Sequence, residues 1–226
     1  MTHRFKSTLT AVALACSMAG AAQAAAIIKN NAVVSDIPGL TGFATNGAMM
    51  TGLSVTATFT SGFSQTLLWA PTGLTSGGVT GAGWGLSLGG DSFTTPWAFS
   101  IIPGNLQLAT LVLDGTNALT VLDTTDPSFG TPDSAQGRDF ELLDATLNAA
   151  ATATYSNVVS VGGNPFVGDL YQIVTVTFGT AGPRTNFQFR QDTDNDSRFG
   201  VVPEPGSLAL AGLALAVLAA SARRRR

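Results

Sequence analysis

Leu53-Ser54-Val55-Thr56-Ala57-Thr58-Phe59 alternates apolar and polar positions with a period of two, as a strand does when one face is buried and the other is wet. Similar short runs follow it along the chain. Phe63 to Trp69, Val79 to Leu88, Trp97 to Ile102, Leu106 to Leu113, Ala118 to Leu122, Thr152 to Val159, Leu170 to Phe178 and Thr185 to Arg190 all read as strands. Glycine, proline, aspartate and asparagine separate them, and Asp114-Gly115 and Gly162-Gly163-Asn164 have the chemistry of tight turns. Strands this short and this frequent predict an all-β fold, a jelly-roll-like β-sandwich with Trp69, Trp84, Trp97, Phe99, Phe178, Phe187 and Phe189 in its core. Phe140, Leu143 and Leu147 fall on one helical face, so a short helix is expected between Phe140 and Ala151. No internal repeat is evident.

The two ends follow another pattern. Arg4 and Lys6 precede the alanine-rich apolar run Leu9 to Ala22, and Ala22-Gln23-Ala24 fits the small-x-small rule of a signal peptidase site. This predicts an entry leader over 1–24, with Ala22 and Ala24 at its cleavage point. Cys16 raises the alternative of an acylated cysteine, but Ala13-Leu14-Ala15 ahead of it lacks leucine where such signals usually carry it. At the other end, Gly206 to Ala222 is free of charge, about 25 Å long as a helix at ~1.5 Å per residue. That predicts a single transmembrane helix near the lower length limit, stopped by Arg223, Arg224, Arg225 and Arg226, which stay on the cytoplasmic side.

Composition then narrows the chemistry. At 226 residues, 45% hydrophobic and 11% charged, the chain has enough apolar material for one sizeable core. Its sole histidine, His3, and sole cysteine, Cys16, both lie in the expected leader. The mature domain then has no catalytic triad, thiol nucleophile, disulfide, or zinc site of histidine and cysteine. From Ala25 to Val202 there are 5 basic and 13 acidic residues, a net charge of −8 that argues against nucleic acid as a partner.

Between the body and the apolar span stands Val202-Pro203-Glu204-Pro205. Two prolines around a glutamate keep the backbone extended and accessible to a processing enzyme. The order Pro203-Glu204-Pro205, apolar span, arginine cluster resembles the PEP-CTERM sorting signal of exported Gram-negative bacterial proteins. The resemblance covers about the last 25 residues. It implies recognition by a membrane-embedded exosortase that cuts near the motif, and an association with exopolysaccharide, biofilm or floc. A fainter similarity, running from Leu111 through Thr131-Pro132-Asp133-Ser134 and Gly137-Arg138-Asp139-Phe140 to Gly168-Asp169-Leu170-Tyr171 and Asp192-Thr193-Asp194, links the body to ectodomains found above such tails, and brings no catalytic residue with it.

The expected organisation is a signal peptide over 1–24, an ectodomain over 25–191, an acidic linker over 192–202 and the sorting signal over 203–226. Two acidic stretches hold candidate chemistry. Asp192, Asp194 and Asp196 place oxygen ligands at alternate positions, a pattern able to wrap calcium, the one cofactor suggested. Ser197 and Pro203 depart from a calcium loop of the helix-loop-helix kind, and an acidic solvated turn is the competing reading. Asp123, Asp126, Asp133, Asp139, Glu141 and Asp144 supply carboxylates for glycoside hydrolysis, although their spacing sets no pair across a cleft. The leading expectation is a non-enzymatic surface or matrix protein. Its partners are signal peptidase, exosortase, the membrane before processing, and extracellular polysaccharide, which Tyr155 or Tyr171 contacts if exposed. The alternative is a secreted carbohydrate-active hydrolase using a carboxylate pair.

Overall fold

A computed structural model of the chain describes residues 24–41, 45–102, 106–118, 120–125, 130, 131, 134, 137–178 and 182–196. The expected leader, apolar span, motif and arginine cluster lie outside these residues, apart from Ala24. Ala24 is exposed, whereas Ala25 is buried in the core and the Ala26 amide donates to the Ala151 carbonyl at 3.1 Å. No helix among the described residues is long and apolar enough to cross a membrane.

Among the described residues the body is all-β, with two sheets and one short helix. The first sheet contains β1 (Ala26–Lys29), β2 (Val34–Asp36), β3 (Leu40–Thr41), β4 (Ser54–Phe59), β5 (Ser64–Leu68), β10 (Leu108–Asp114), β11 (Thr120–Asp123), β13 (Thr152–Ser160), β14 (Leu170–Thr177) and β16 (Asp192–Asp196). The second runs β12-β15-β9-β8-β7-β6, built from β6 (Ala70–Pro71), β7 (Gly77–Thr80), β8 (Trp84–Leu88), β9 (Trp97–Ile101), β12 (Glu141–Leu142) and β15 (Phe187–Arg190).

Inward residues of both sheets enter one core. Val55, Ala57 and Phe59 of β4 face it at the expected period, as do Trp97, Phe99 and Ile101 of β9. Its aromatics stack in a chain: Trp97 on Phe189 at 5.7 Å, Phe99 on Phe187 at 5.0 Å and Trp84 on Phe99 at 5.7 Å between ring centroids. All seven aromatics expected inside are buried.

Several expectations change. Val79 to Leu88 is not one strand but the hairpin β7-β8, turned at Gly83 with φ +83°. Because β6 to β9 form a consecutive antiparallel meander, the second sheet lacks the interlocked Greek keys of a jelly roll. The helix α1 spans only Ala145–Ala150, capped by Asp144, whose side chain accepts from the amides of Thr146 and Leu147. Phe140 and Leu142 belong instead to the core around β12. Asp192–Asp196, expected to begin the acidic linker, is a buried strand between β11 and β3.

The first sheet changes phase at one row. Tyr155 and Val174 are paired neighbours in the main core, yet the next pair to meet it is Val158 and Tyr171, three residues on. Strict alternation would have chosen Asn157 and Gln172. Asn157, at φ +57°, marks the change of face, while the pairing keeps one register across it, Ser156 with Ile173 and Val158 with Tyr171. The outer face beyond that row consequently receives Val159 and Leu170, which join Ile37, Leu40 and Val121 in a second, smaller core. The candidate site sits on this outer face.

Candidate functional site

Strand pairing brings carboxylates together. Asp123 of β11 lies directly opposite Asp192 of β16, and Val121 lies opposite Asp194. Paired residues share a face, and so do residues two apart in one strand, so Asp123, Asp192 and Asp194 point to the same side. Each offers one carboxylate oxygen within 4.8 Å of the other two. All three are buried, at 1%, 8% and 3% of their full exposure, which removes the solvated turn as a description of this segment.

Ser134 Oγ lies 2.5 Å from Asp194 Oδ2 and 3.2 Å from Asp123 Oδ2, bridging the pair. Asp192 Oδ1 accepts from Ser92 Oγ and from the Thr193 amide, both at 2.8 Å. Asp123 Oδ1 is buried without a hydrogen-bond partner. Close by, Asp169 uses both carboxylate oxygens to accept from the Thr131 amide and hydroxyl, at 2.5 and 2.6 Å. Gly137 seals the cluster: a Cβ there would collide with the Asp123 carboxylate and backbone.

Electrostatics are unfavourable for three ionised groups in this place. Burial, reinforced by the charges of Asp194, Asp192 and Asp169, pushes the Asp123 carboxyl up to about 9. Burial raises Asp194 to about 7, with the Ser134 hydrogen bond opposing it, and Asp192 to about 6, with Ser92 and Thr193 opposing it. The ion pairs among the described residues lie elsewhere: Lys29 with Asp139 at 3.6 Å, and Glu141 with Arg190 at 3.5 Å and Arg138 at 3.9 Å. The cluster can hold protons, or it can hold a cation.

Gln191 ties the cluster to the main core. Its side-chain amide donates to the carbonyls of Asp123 and Arg138 at 3.2 Å and of Asp192 at 2.8 Å. Its Oε1 accepts a short hydrogen bond from the Tyr155 hydroxyl.

The expected ligand set is thus rearranged. Asp192 and Asp194 come together, but Asp196 lies opposite Leu40, outside the group. Along a strand, four residues span roughly 13 Å at ~3.3 Å each, too far for Asp192 and Asp196 to share one ion. Asp123 takes its place, brought by a pairing 69 residues distant in sequence that one-dimensional spacing does not reveal. The other acidic candidates are dispersed. Asp139 and Glu141 form the ion pairs just described, Asp144 caps α1, and Asp126 and Asp133 lie outside the described residues. Tyr155 and Tyr171 are wholly buried and present no face to a sugar.

This body is an all-β, two-sheet domain with a carboxylate cluster beneath its last strand. Residues 201–226, which follow that strand closely, match the PEP-CTERM protein-sorting motif. The C-terminal segment thus carries a PEP-CTERM sorting motif, which implies an exported protein that is anchored in the membrane and then processed by exosortase. No curated protein and no solved structure matches the chain.

Proposed function

We propose that this protein is a non-enzymatic component of the extracellular polymer layer of a Gram-negative cell. A leader cut after Ala24 delivers it, the apolar span 206–222 holds it, and exosortase releases or transfers it at Pro203-Glu204-Pro205. The two sheets act as a sandwich, a passive, disulfide-free body suited to packing among polysaccharide chains. The observation carrying this reading is the sorting motif at 201–226, which follows the folded body.

Mass spectrometry of the native protein tests the proposal. The expected product begins at Ala25, lacks Arg223 to Arg226 and fractionates with extracellular polysaccharide. A mature form that keeps all four arginines, or one found wholly apart from the polymer fraction, overturns it.

A further inference from the structure

We propose that Asp123, Asp192 and Asp194 form a binding site for a single calcium ion, which fastens β16 to β11 on the outer face of the first sheet. Like charges directly opposite one another in a sheet are destabilising, and Asp123 and Asp192 are so placed. Their carboxylates converge with that of Asp194 to within 4.8 Å, the separation of two oxygens on opposite sides of an ion bound at ~2.4 Å.

A second observation points to a ligand. Asp123 is 99% buried by its 1% exposure, its carboxylate belongs to the convergent group, and its Oδ1 has no hydrogen-bond partner. A buried carboxylate oxygen left unpaired is costly, and a cation satisfies it together with the two neighbouring groups. All three donors are hard carboxylate oxygens, with no nitrogen or sulfur, which disfavours zinc and copper. Calcium suits an exported protein because its extracellular concentration matches the weak sites, with Kd of about 10⁻⁴ to 10⁻³ M, found in extracellular modules. The geometric argument for a cation does not depend on the fate of the C-terminal tail.

The test is a calcium titration of the full chain after treatment with chelator, followed by calorimetry and by thermal melting. One ion per chain is expected, with Tm higher by roughly 5–10 °C at a hundredfold excess of calcium over Kd. Asp123→Asn and Asp194→Asn should each abolish the shift while still folding in chelator, since an amide has nearly the size of the carboxyl it replaces and carries no charge in this buried group. Glu141→Gln, on an exposed ion-paired residue, should keep it. Absence of saturable binding overturns the proposal, as does a shift that survives both asparagine variants or that magnesium reproduces at equal concentration. If the variants do not fold, equilibrium dialysis of the parent chain against radiocalcium decides by counting: one ion supports the site and none removes it. These outcomes are separate from the mass-spectrometric test of sorting.

Discussion

The Gln191 carbonyl oxygen accepts the indole N–H of Trp97 at 2.9 Å, deep in the main core. The same residue's side chain meets the backbone of both aspartate-bearing strands and, in that core, the Tyr155 hydroxyl. One glutamine therefore couples the aromatic core to the acidic face across the thickness of the first sheet.

Gln191→Leu keeps the volume and removes the amide: the Tyr155 hydroxyl loses its acceptor and keeps only the Phe140 amide as donor, and the Asp192 carbonyl loses the Gln191 amide, while the carbonyls of Asp123 and Arg138 keep the backbone amides of Arg138 and Asp192. A loss of about 2–4 kcal/mol is expected from unsatisfied buried groups. Denaturant unfolding measures it. Tyr155→Phe should cost less in the Gln191→Leu background than in the parent, because part of its hydrogen bonding is already gone. Strict additivity of the two would refute the coupling.

The metal-free body should become less stable as pH rises. Asp123, Asp192 and Asp194 have folded-state values raised to about 9, 6 and 7, above the 3.8 of an unperturbed aspartate. The folded chain therefore holds protons that the unfolded chain releases. The contribution is complete below about pH 4 and is lost as pH climbs through 6, 7 and 9. Among the charged groups around them, Asp169 and Asp91 strengthen this trend and Arg138 weakens it. Melting in chelator should give a lower Tm at pH 8 than at pH 5, and the double variant Asp123→Asn with Asp194→Asn should flatten the difference.

Trp69 Nε1 donates to the Gly47 carbonyl at 2.7 Å, and Gly77 lies against both. A methyl group at Gly77 would collide with the Gly47 oxygen and the indole nitrogen together. Gly77→Ala should cost about 2–4 kcal/mol through overpacking and a broken buried hydrogen bond, read as a fall in the denaturant midpoint. Gly62→Ala is the useful contrast. Its Cβ meets no neighbour, so its cost should be confined to backbone strain at φ +87°.

Glu204→Ala should arrest processing without touching the body, because the motif lies beyond the last described strand. The membrane fraction would accumulate chains that retain Arg223 to Arg226 and melt at the parent's temperature. Normal removal of those arginines would show that Glu204 is not read.

Strand existence was legible wherever one face is wet. β4, β9 and β10 follow the alternation, and their aromatic and aliphatic residues are buried as the pattern implies. β16 was hidden because its residues are polar at all five positions, yet all five are buried. Hydrophobic periodicity has no signal for a strand whose acids face a closed polar cluster. Asp123 stood in the sequence as one of six carboxylates with no partner set by spacing, until its pairing with Asp192 fixed its direction. β1 and β2 escaped notice because they pair in parallel with β13, a long-range contact that leaves only short and partly exposed segments to read.

β16 is not an edge: β11 holds one side of it and β3 the other. From Asp196 to Pro203 the chain can stretch at most ~25 Å, at ~3.6 Å for each of seven steps. On the proposed sorting route the body is tethered by this short leash until it is cut, and any tug on the anchor reaches first a strand that is paired on both sides. A cut at Pro203-Glu204-Pro205, as proposed above, would fall beyond β16 and leave the clamped strand whole, so processing would not unravel the domain.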